Sequence, residues 1–216
     1  MKTYKDCKRL AKGYKGSSIN WSYKELTTLA FCPEHVNGSF NVGNNGIKSL
    51  EYGPTQVAGD YYCHGNRLST LEVCPEYISG TFACHGNSIT SLIGGPRKVD
   101  GDYACSKNKL TNLDGCASHI GGELAFMAND VTSLVGIHKI INSCKEIKFD
   151  TTDIDEGGIG LLLIENLVKI HNGYVSGSNL SKPFAIIEKY FGTGTKGMME
   201  CSKELIANGC PNHAKL

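Results

Sequence analysis

Cysteine and histidine occur as adjacent pairs at one fixed offset, a pattern that could bind a metal ion. Cys63-His64 is followed 21 residues later by Cys84-His85, and thiolates with imidazoles are the usual ligands of zinc. If these residues lie in β-strands, however, neighbouring side chains point to opposite faces of the sheet. The cysteine and the histidine of each pair then cannot reach one ion. We therefore predict no metal site and no cofactor, with the cysteines inward and the two histidines side by side on the outward face.

The same offset of 21 residues runs through about a hundred residues of the chain. Each unit has a glycine, an aromatic residue or leucine, a small apolar residue, an asparagine and a leucine at fixed places. Such a period is typical of a solenoid, whose units stack because none can bury its apolar face alone. We expect the asparagine amides to bind backbone groups of the turns inside the core. This column contains Asn45, Asn66, Asn87, Asn108 and Asn129.

The repeating unit reads Gly-x-(Phe/Tyr)-x-(Cys/Val)-x-x-Asn-x-(Leu/Ile)-x-x-Leu. A proline follows in the return segment, at Pro33, Pro54, Pro75 and Pro96. This pattern resembles the leucine-rich repeat, in the short variant of bacterial effector proteins and of proteins encoded by tailed phages. The resemblance covers residues 19–155 and implies an α+β leucine-rich-repeat solenoid with a parallel sheet. Since 21 residues leave too few for an ordinary helix, we expect an extended convex side.

Different patterns flank the repeats at both ends. Residues 1–18 place Tyr4, Cys7 and Leu10 at helical spacing and are predicted to form a helical N-terminal cap. Near residues 147–154 the period slips by two residues, as in a terminal repeat that loses its register. Residues 156–216 are predicted to form a small helical C-terminal region. Its three helical patterns cover residues 159–170, 183–191 and 198–208.

Composition favours an intracellular chain without a membrane segment. The chain has 216 residues and a net charge of +1, with no apolar run near the length of about 18 residues that spans a bilayer. Its basic N-terminus lacks the apolar core of a secretory signal. Several of the ten cysteines fill core columns, as at Cys63, Cys84 and Cys105. We expect all ten to be free thiols in a reducing cytoplasm.

The outward side chains of the strands form the candidate binding surface, which the resemblance identifies as the concave face of a leucine-rich repeat. Small residues in the middle predict a shallow groove between an acidic side and a side with histidine and lysine. An ordinary solvated sheet face is the alternative. The candidate protein-binding residues are Asp60, Tyr62, His64, Thr81, His85, Asp102, Ser106, Lys107 and Met127.

Enzyme motifs do not occur in the sequence, which has no phosphate-binding loop, nucleophile elbow or His-Glu-x-x-His. Some effector proteins of this family carry a ubiquitin ligase domain with a catalytic cysteine. The region around Cys201 and Cys210 is too short for such a domain, so we expect no enzyme. Six basic residues among the first fifteen are the only indication of nucleic-acid binding, and the near-neutral charge disfavours it.

These observations together predict a non-enzymatic scaffold that binds a protein partner. The resemblance to phage-encoded proteins implies a partner in the cytoplasm of a bacterial host, for example a defence or metabolic factor that is inhibited. The alternative is a structural component of a larger phage assembly.

Overall fold

The computed structural model describes residues 8, 10–12, 14, 16–173 and 179–216. Most of these residues wind into a parallel β-solenoid of about seven turns, as the 21-residue period predicts. Each turn contributes one short strand to one face of the solenoid, and five turns contribute a second strand to another face. We call the larger of these faces the main sheet and the other the second face.

The main sheet has eight parallel strands, and nearly all neighbours are one repeat apart. Its strands are β1 (Ile19–Asn20), β3 (Phe40–Asn41), β5 (Tyr61–Tyr62), β7 (Phe82–Ala83), β9 (Tyr103–Ala104), β11 (Glu123–Ala125), β12 (Glu146–Phe149) and β13 (Lys169–Asn172). The return segments are extended, as expected from the length of the repeat, and they pair into two smaller sheets on the second face. These strands are β2 (His35–Val36) and β4 (Gln56–Val57), then β6 (Tyr77–Ile78), β8 (Lys98–Val99) and β10 (His119–Ile120).

Aromatic side chains of successive main-sheet strands form a ladder through the core. Phe40, Tyr61, Phe82 and Tyr103 are fully buried, and their ring centroids follow one another at 5.1, 5.8 and 5.0 Å. The tilted and edge-on contacts suit the quadrupoles of the rings. Parallel register of the strands sets this spacing, because residues 21 apart are directly paired.

The asparagine column forms a second ladder, at the turn that follows each main-sheet strand. Asn66 Nδ2 donates to the carbonyl oxygens of Val42 and Cys63, both at 3.0 Å, and its Oδ1 accepts from the Ile47 amide at 3.1 Å. Each asparagine therefore links its own turn to the preceding one. This is the role that the sequence predicts for the column, since buried backbone groups need partners.

The C-terminal part departs from the sequence prediction in one place. The pattern at residues 159–170 is not a single helix: Gly158–Leu163 is a 3₁₀ helix, η1, and Lys169–Asn172 is strand β13 of the main sheet. Apolar residues at Leu161, Ile164, Leu167 and Ile170 recur every three residues, as they do within a solenoid turn, and this spacing resembles that of a helix.

Short helices complete the chain. α1 (Ile137–Ile140) lies within a solenoid turn, whereas α2 (Lys182–Glu188), α3 (Gly194–Ala207) and the 3₁₀ helix η2 (Pro211–Ala214) follow the last strand. α2 and α3 agree with the two later helical patterns, and Phe184 of α2 packs on Phe149 of β12, with ring centroids 5.0 Å apart. The C-terminal helices therefore pack against the end of the solenoid.

The predicted N-terminal cap is described only in part. Residues 8 and 10–12 are helical, and Leu10, Ala11 and Tyr14 pack against the core. Tyr4 and Cys7 lie outside the described residues. Within the described ranges, no helix combines the length and the hydrophobicity that crossing a bilayer requires.

Candidate functional site

The candidate site is the outward surface of the main sheet over strands β5, β7, β9 and β11, which we call the sheet face. Its side chains form three parallel rows, because each position repeats every 21 residues. The acidic row contains Asp60, Thr81, Asp102 and Glu123, the alanine row contains Tyr62, Ala83, Ala104 and Ala125, and the histidine row contains His64, His85, Ser106 and Met127. Eight of the nine predicted residues lie in these rows, and the ninth, Lys107, directly follows Ser106 of the histidine row.

The alanine row lies between the two other rows, where the sequence predicts the floor of a shallow groove. Ala83 and Ala125 are buried, whereas Asp102 and Lys107 are exposed. Alternate residues of a strand lie about 6.6 Å apart, so the acidic and histidine rows stand well separated on either side. Tyr62 is half-buried at the N-terminal end of this floor. The order of the three rows is the one that the sequence predicts, and the groove between them stays a prediction.

Two carboxylates of the acidic row are fixed by backbone amides of the next turn. Asp60 Oδ1 accepts a hydrogen bond from the Thr81 amide at 2.8 Å, and Asp102 Oδ1 accepts one from the Glu123 amide at 2.8 Å. These bonds hold each side chain in one orientation. The row therefore presents negative charge at fixed positions along one side of the groove.

His64 and His85 stack on each other at the opposite side of the groove, as their register predicts. Their ring centroids are 4.7 Å apart and the rings are nearly parallel, at 9°. A Cβ atom at Gly43 would lie 2.5 Å from Cε1 of His64, so glycine provides the space that this ring occupies. Nε2 of His64 is 3.3 Å from Nδ2 of Asn44.

Burial lowers the pKa of both stacked imidazoles from the ordinary value of 6.5. For His85, the neighbouring His64 and Lys107 lower the pKa further, because two positive charges in contact repel each other. Both rings are therefore mainly neutral at pH 7. A neutral imidazole has one N–H donor and one acceptor nitrogen, so the stack can bind either kind of polar group.

Two polar atoms of the histidine row are buried without a hydrogen-bond partner among the described residues. They are Nδ1 of His64 and Oγ of Ser106, whose residue is 6% exposed. The backbone at Ser106 is held in the sheet, since its carbonyl accepts from the Gly86 amide at 3.0 Å. Buried polar atoms that lack partners are costly, and both atoms are enclosed by protein, so a molecule on the sheet face could reach them only after a change in side-chain conformation.

The cysteines of the Cys-His pairs point away from their histidines, as predicted. Cys63 and Cys84 are fully buried in the core, whereas His64 and His85 lie on the sheet face. Burial raises the pKa of the Cys63 thiol to about 12, so the metal-binding thiolate form is scarce at neutral pH. Among the described residues, Cys63, Cys74, Cys84, Cys105, Cys116, Cys144, Cys201 and Cys210 form no disulfide, and Cys7 lies outside the described residues.

Sequence reasoning missed two residues that extend the sheet face towards the C-terminus. Glu146 of β12 lies directly beside Glu123, and His171 of β13 reaches Glu146 with Nε2 2.6 Å from Oε2. The insertion of two residues between these turns shifts the period from 21 to 23. Aligning the chain at the shifted period would have placed Glu146 in the acidic row.

Two other surfaces compete with the sheet face as candidate sites. Phe31, Tyr52 and Val73 occupy the same turn position in three successive repeats, have positive φ angles and are exposed. Near the C-terminus, a cavity of about 340 Å³ lies between η1, α3 and the last residues. It is lined by Ile159, Met198, Met199, Ser202, Lys203, Ala214 and Leu216. The cavity lining is largely apolar and, unlike the sheet face, contains no carboxylate side chain.

Comparison with known proteins does not assign the chain to a family. No protein-family model matches the sequence, and neither the curated proteins nor the solved structures include a significant match.

Proposed function

We propose that this chain is a non-enzymatic scaffold that binds a protein partner through the sheet face. One observation carries the proposal: fixed carboxylates line one side of the sheet face, and a stacked pair of imidazoles lines the other. Asp60 and Asp102 supply the carboxylates, and His64 and His85 supply the imidazoles. A peptide segment offers both the amide and side-chain donors that carboxylates bind and the polar groups that a neutral imidazole binds.

The short leucine-rich repeat is the family to which we assign the solenoid. The assignment is supported by the 21-residue period and by the asparagine ladder, in which each amide binds backbone groups of two turns. From the same resemblance we propose a phage-encoded protein that acts in the cytoplasm of a bacterial host. Its partner is then a host protein, such as a defence or metabolic factor.

A structural component of a larger phage assembly is the second candidate function. It is favoured by the apolar cavity near α3 and by the exposed side chains of Met199 and Ile206 on that helix, since exposed apolar patches mark contact surfaces. Nucleic-acid binding is less consistent with the sheet face. Asp60, Asp102 and Glu123 would repel phosphates there.

Affinity capture from bacterial lysate distinguishes these functions. The protein is immobilised, and retained proteins are identified by mass spectrometry and then tested for a complex by size-exclusion chromatography. We expect one partner in a fixed stoichiometric ratio, retained at 0.5 M salt. Self-assembly of the pure protein into large particles would instead support the assembly component. Retention of DNA that falls steeply with salt would indicate nucleic-acid binding.

A further inference from the structure

We propose that Glu123, Glu146 and His171 form a binding site for one divalent transition-metal ion, such as Zn²⁺. One potential ligand atom from each residue lies within 4.8 Å of the other two. Two carboxylate oxygens and one imidazole nitrogen are a donor set that zinc accepts. This site lies at the C-terminal end of the sheet face, and the inference does not depend on the proposed protein-binding function.

Three consecutive strands of the main sheet bring these residues together. Glu123 of β11 is paired directly with Glu146 of β12. On β13, His171 is paired with Lys148, two residues beyond Glu146, and its ring reaches back diagonally to the Glu146 carboxylate. The three side chains are half-buried, so the backbone holds them while solvent still reaches the site.

The charges at this place favour a bound cation. Like charges directly opposite each other on neighbouring strands are destabilising, and Glu123 and Glu146 are such a pair. Lys169 is paired with Glu146, and Lys148 is paired with His171. Within the part of the chain that the structure describes, neither lysine forms an ion pair with these carboxylates. Among the described residues, the only salt bridge of Glu146 is the one to His171.

Binding an ion requires only a small adjustment of the side chains. Zinc lies about 2.0–2.2 Å from nitrogen and carboxylate ligands, so its donor atoms stand farther apart than the 2.6 Å between His171 Nε2 and Glu146 Oε2. The ion would take the place of the hydrogen bond between these two groups, and at tetrahedral angles the contact would open by about 0.7–1 Å. Water completes the coordination, as it does at other zinc sites with three protein ligands.

Calorimetric titration of the chelator-treated full chain with Zn²⁺ tests the site. We expect one equivalent to bind to the wild-type protein. Glu146→Gln and His171→Gln should each weaken the affinity at least 10-fold, since even changes to groups around metal ligands cost about 10–100-fold. The matched control is Glu76→Gln/His119→Gln on the second face. This variant should bind zinc with the affinity of the wild-type protein.

Two further measurements separate this site from binding by thiols and from effects on folding. Cobalt bound at these ligands should lack the intense near-ultraviolet absorption that sulfur ligands produce. At a free zinc concentration of 100 times the dissociation constant, the ratio of folded to unfolded protein should rise about 100-fold, and only in the wild type and the control. Absence of binding at millimolar zinc, unchanged affinity in both site variants or a sulfur absorption band would overturn the proposal.

Discussion

Replacing Asn87 by leucine should destabilise the protein by about 1–3 kcal/mol, because one buried backbone amide loses its acceptor and two carbonyls each lose one of two donors. Asn87 Nδ2 donates to the carbonyl oxygens of Cys63 at 3.1 Å and Cys84 at 2.9 Å, and Oδ1 accepts from the Leu68 amide at 3.0 Å. Leucine has a similar size but offers no donor or acceptor. Both carbonyls keep a bond from a neighbouring asparagine of the ladder, so most of the loss comes from the unpaired Leu68 amide, at about 1–3 kcal/mol for a buried group.

Denaturant titration measures this loss, with Thr111→Leu as the control. Thr111 is exposed in the following repeat, so the same kind of change there should alter the free energy of unfolding by no more than about 0.5 kcal/mol. An equally small effect of Asn87→Leu would mean that the asparagine ladder does not hold the turns together. The assignment to the leucine-rich repeat would then lose its main structural support.

The double variant Tyr62→Ala/His85→Ala should lose at least about 2 kcal/mol of affinity for the captured partner, which is a factor of about 30. Aromatic residues near the centre of an interface contribute much of its binding energy. Tyr62 lies at the N-terminal end of the alanine row, and His85 lies in the histidine row beside it. Both are half-buried with their side chains outside the core. We therefore expect the melting temperature to change by only a few degrees.

The matched control is Tyr77→Ala/His119→Ala, which removes the same two residue types from the second face. Calorimetric titration of both variants with the partner should show wild-type affinity for the control alone. If the sheet-face variant binds normally while a chain without residues 180–216 does not, the C-terminal helices are the binding surface. The proposal for the sheet face would then be wrong.

The repeated part of the fold could be predicted from the sequence because every column has one physical role. A turn of 21 residues brings equivalent positions into register, so apolar columns become core and the asparagine column becomes a ladder. His64 and His85 could be placed side by side on the outward face for the same reason. The stacking of their rings depends on side-chain packing, including the space at Gly43. The period does not specify this packing.

The C-terminal turns could not be predicted in the same way, because two inserted residues break the period. Residues 159–170 contain apolar side chains at a spacing common to a helix and a solenoid turn, and strand β13 was therefore missed. Because β13 was missed, the contact between His171 and Glu146 was missed as well. These two residues are 25 positions apart and meet along a diagonal of the sheet, which a search at one fixed offset does not detect.

Hydroxyl-radical footprinting of the complex tests most directly whether the sheet face is the binding surface. The reaction labels exposed aromatic, histidine and methionine side chains, and bound partner protects those that it covers. We predict protection of Tyr62, His64 and His85, with His119 and Met199 labelled as strongly as in the free protein. Protection confined to Met199 and its neighbours on α3, with the sheet face still labelled, would contradict the central claim.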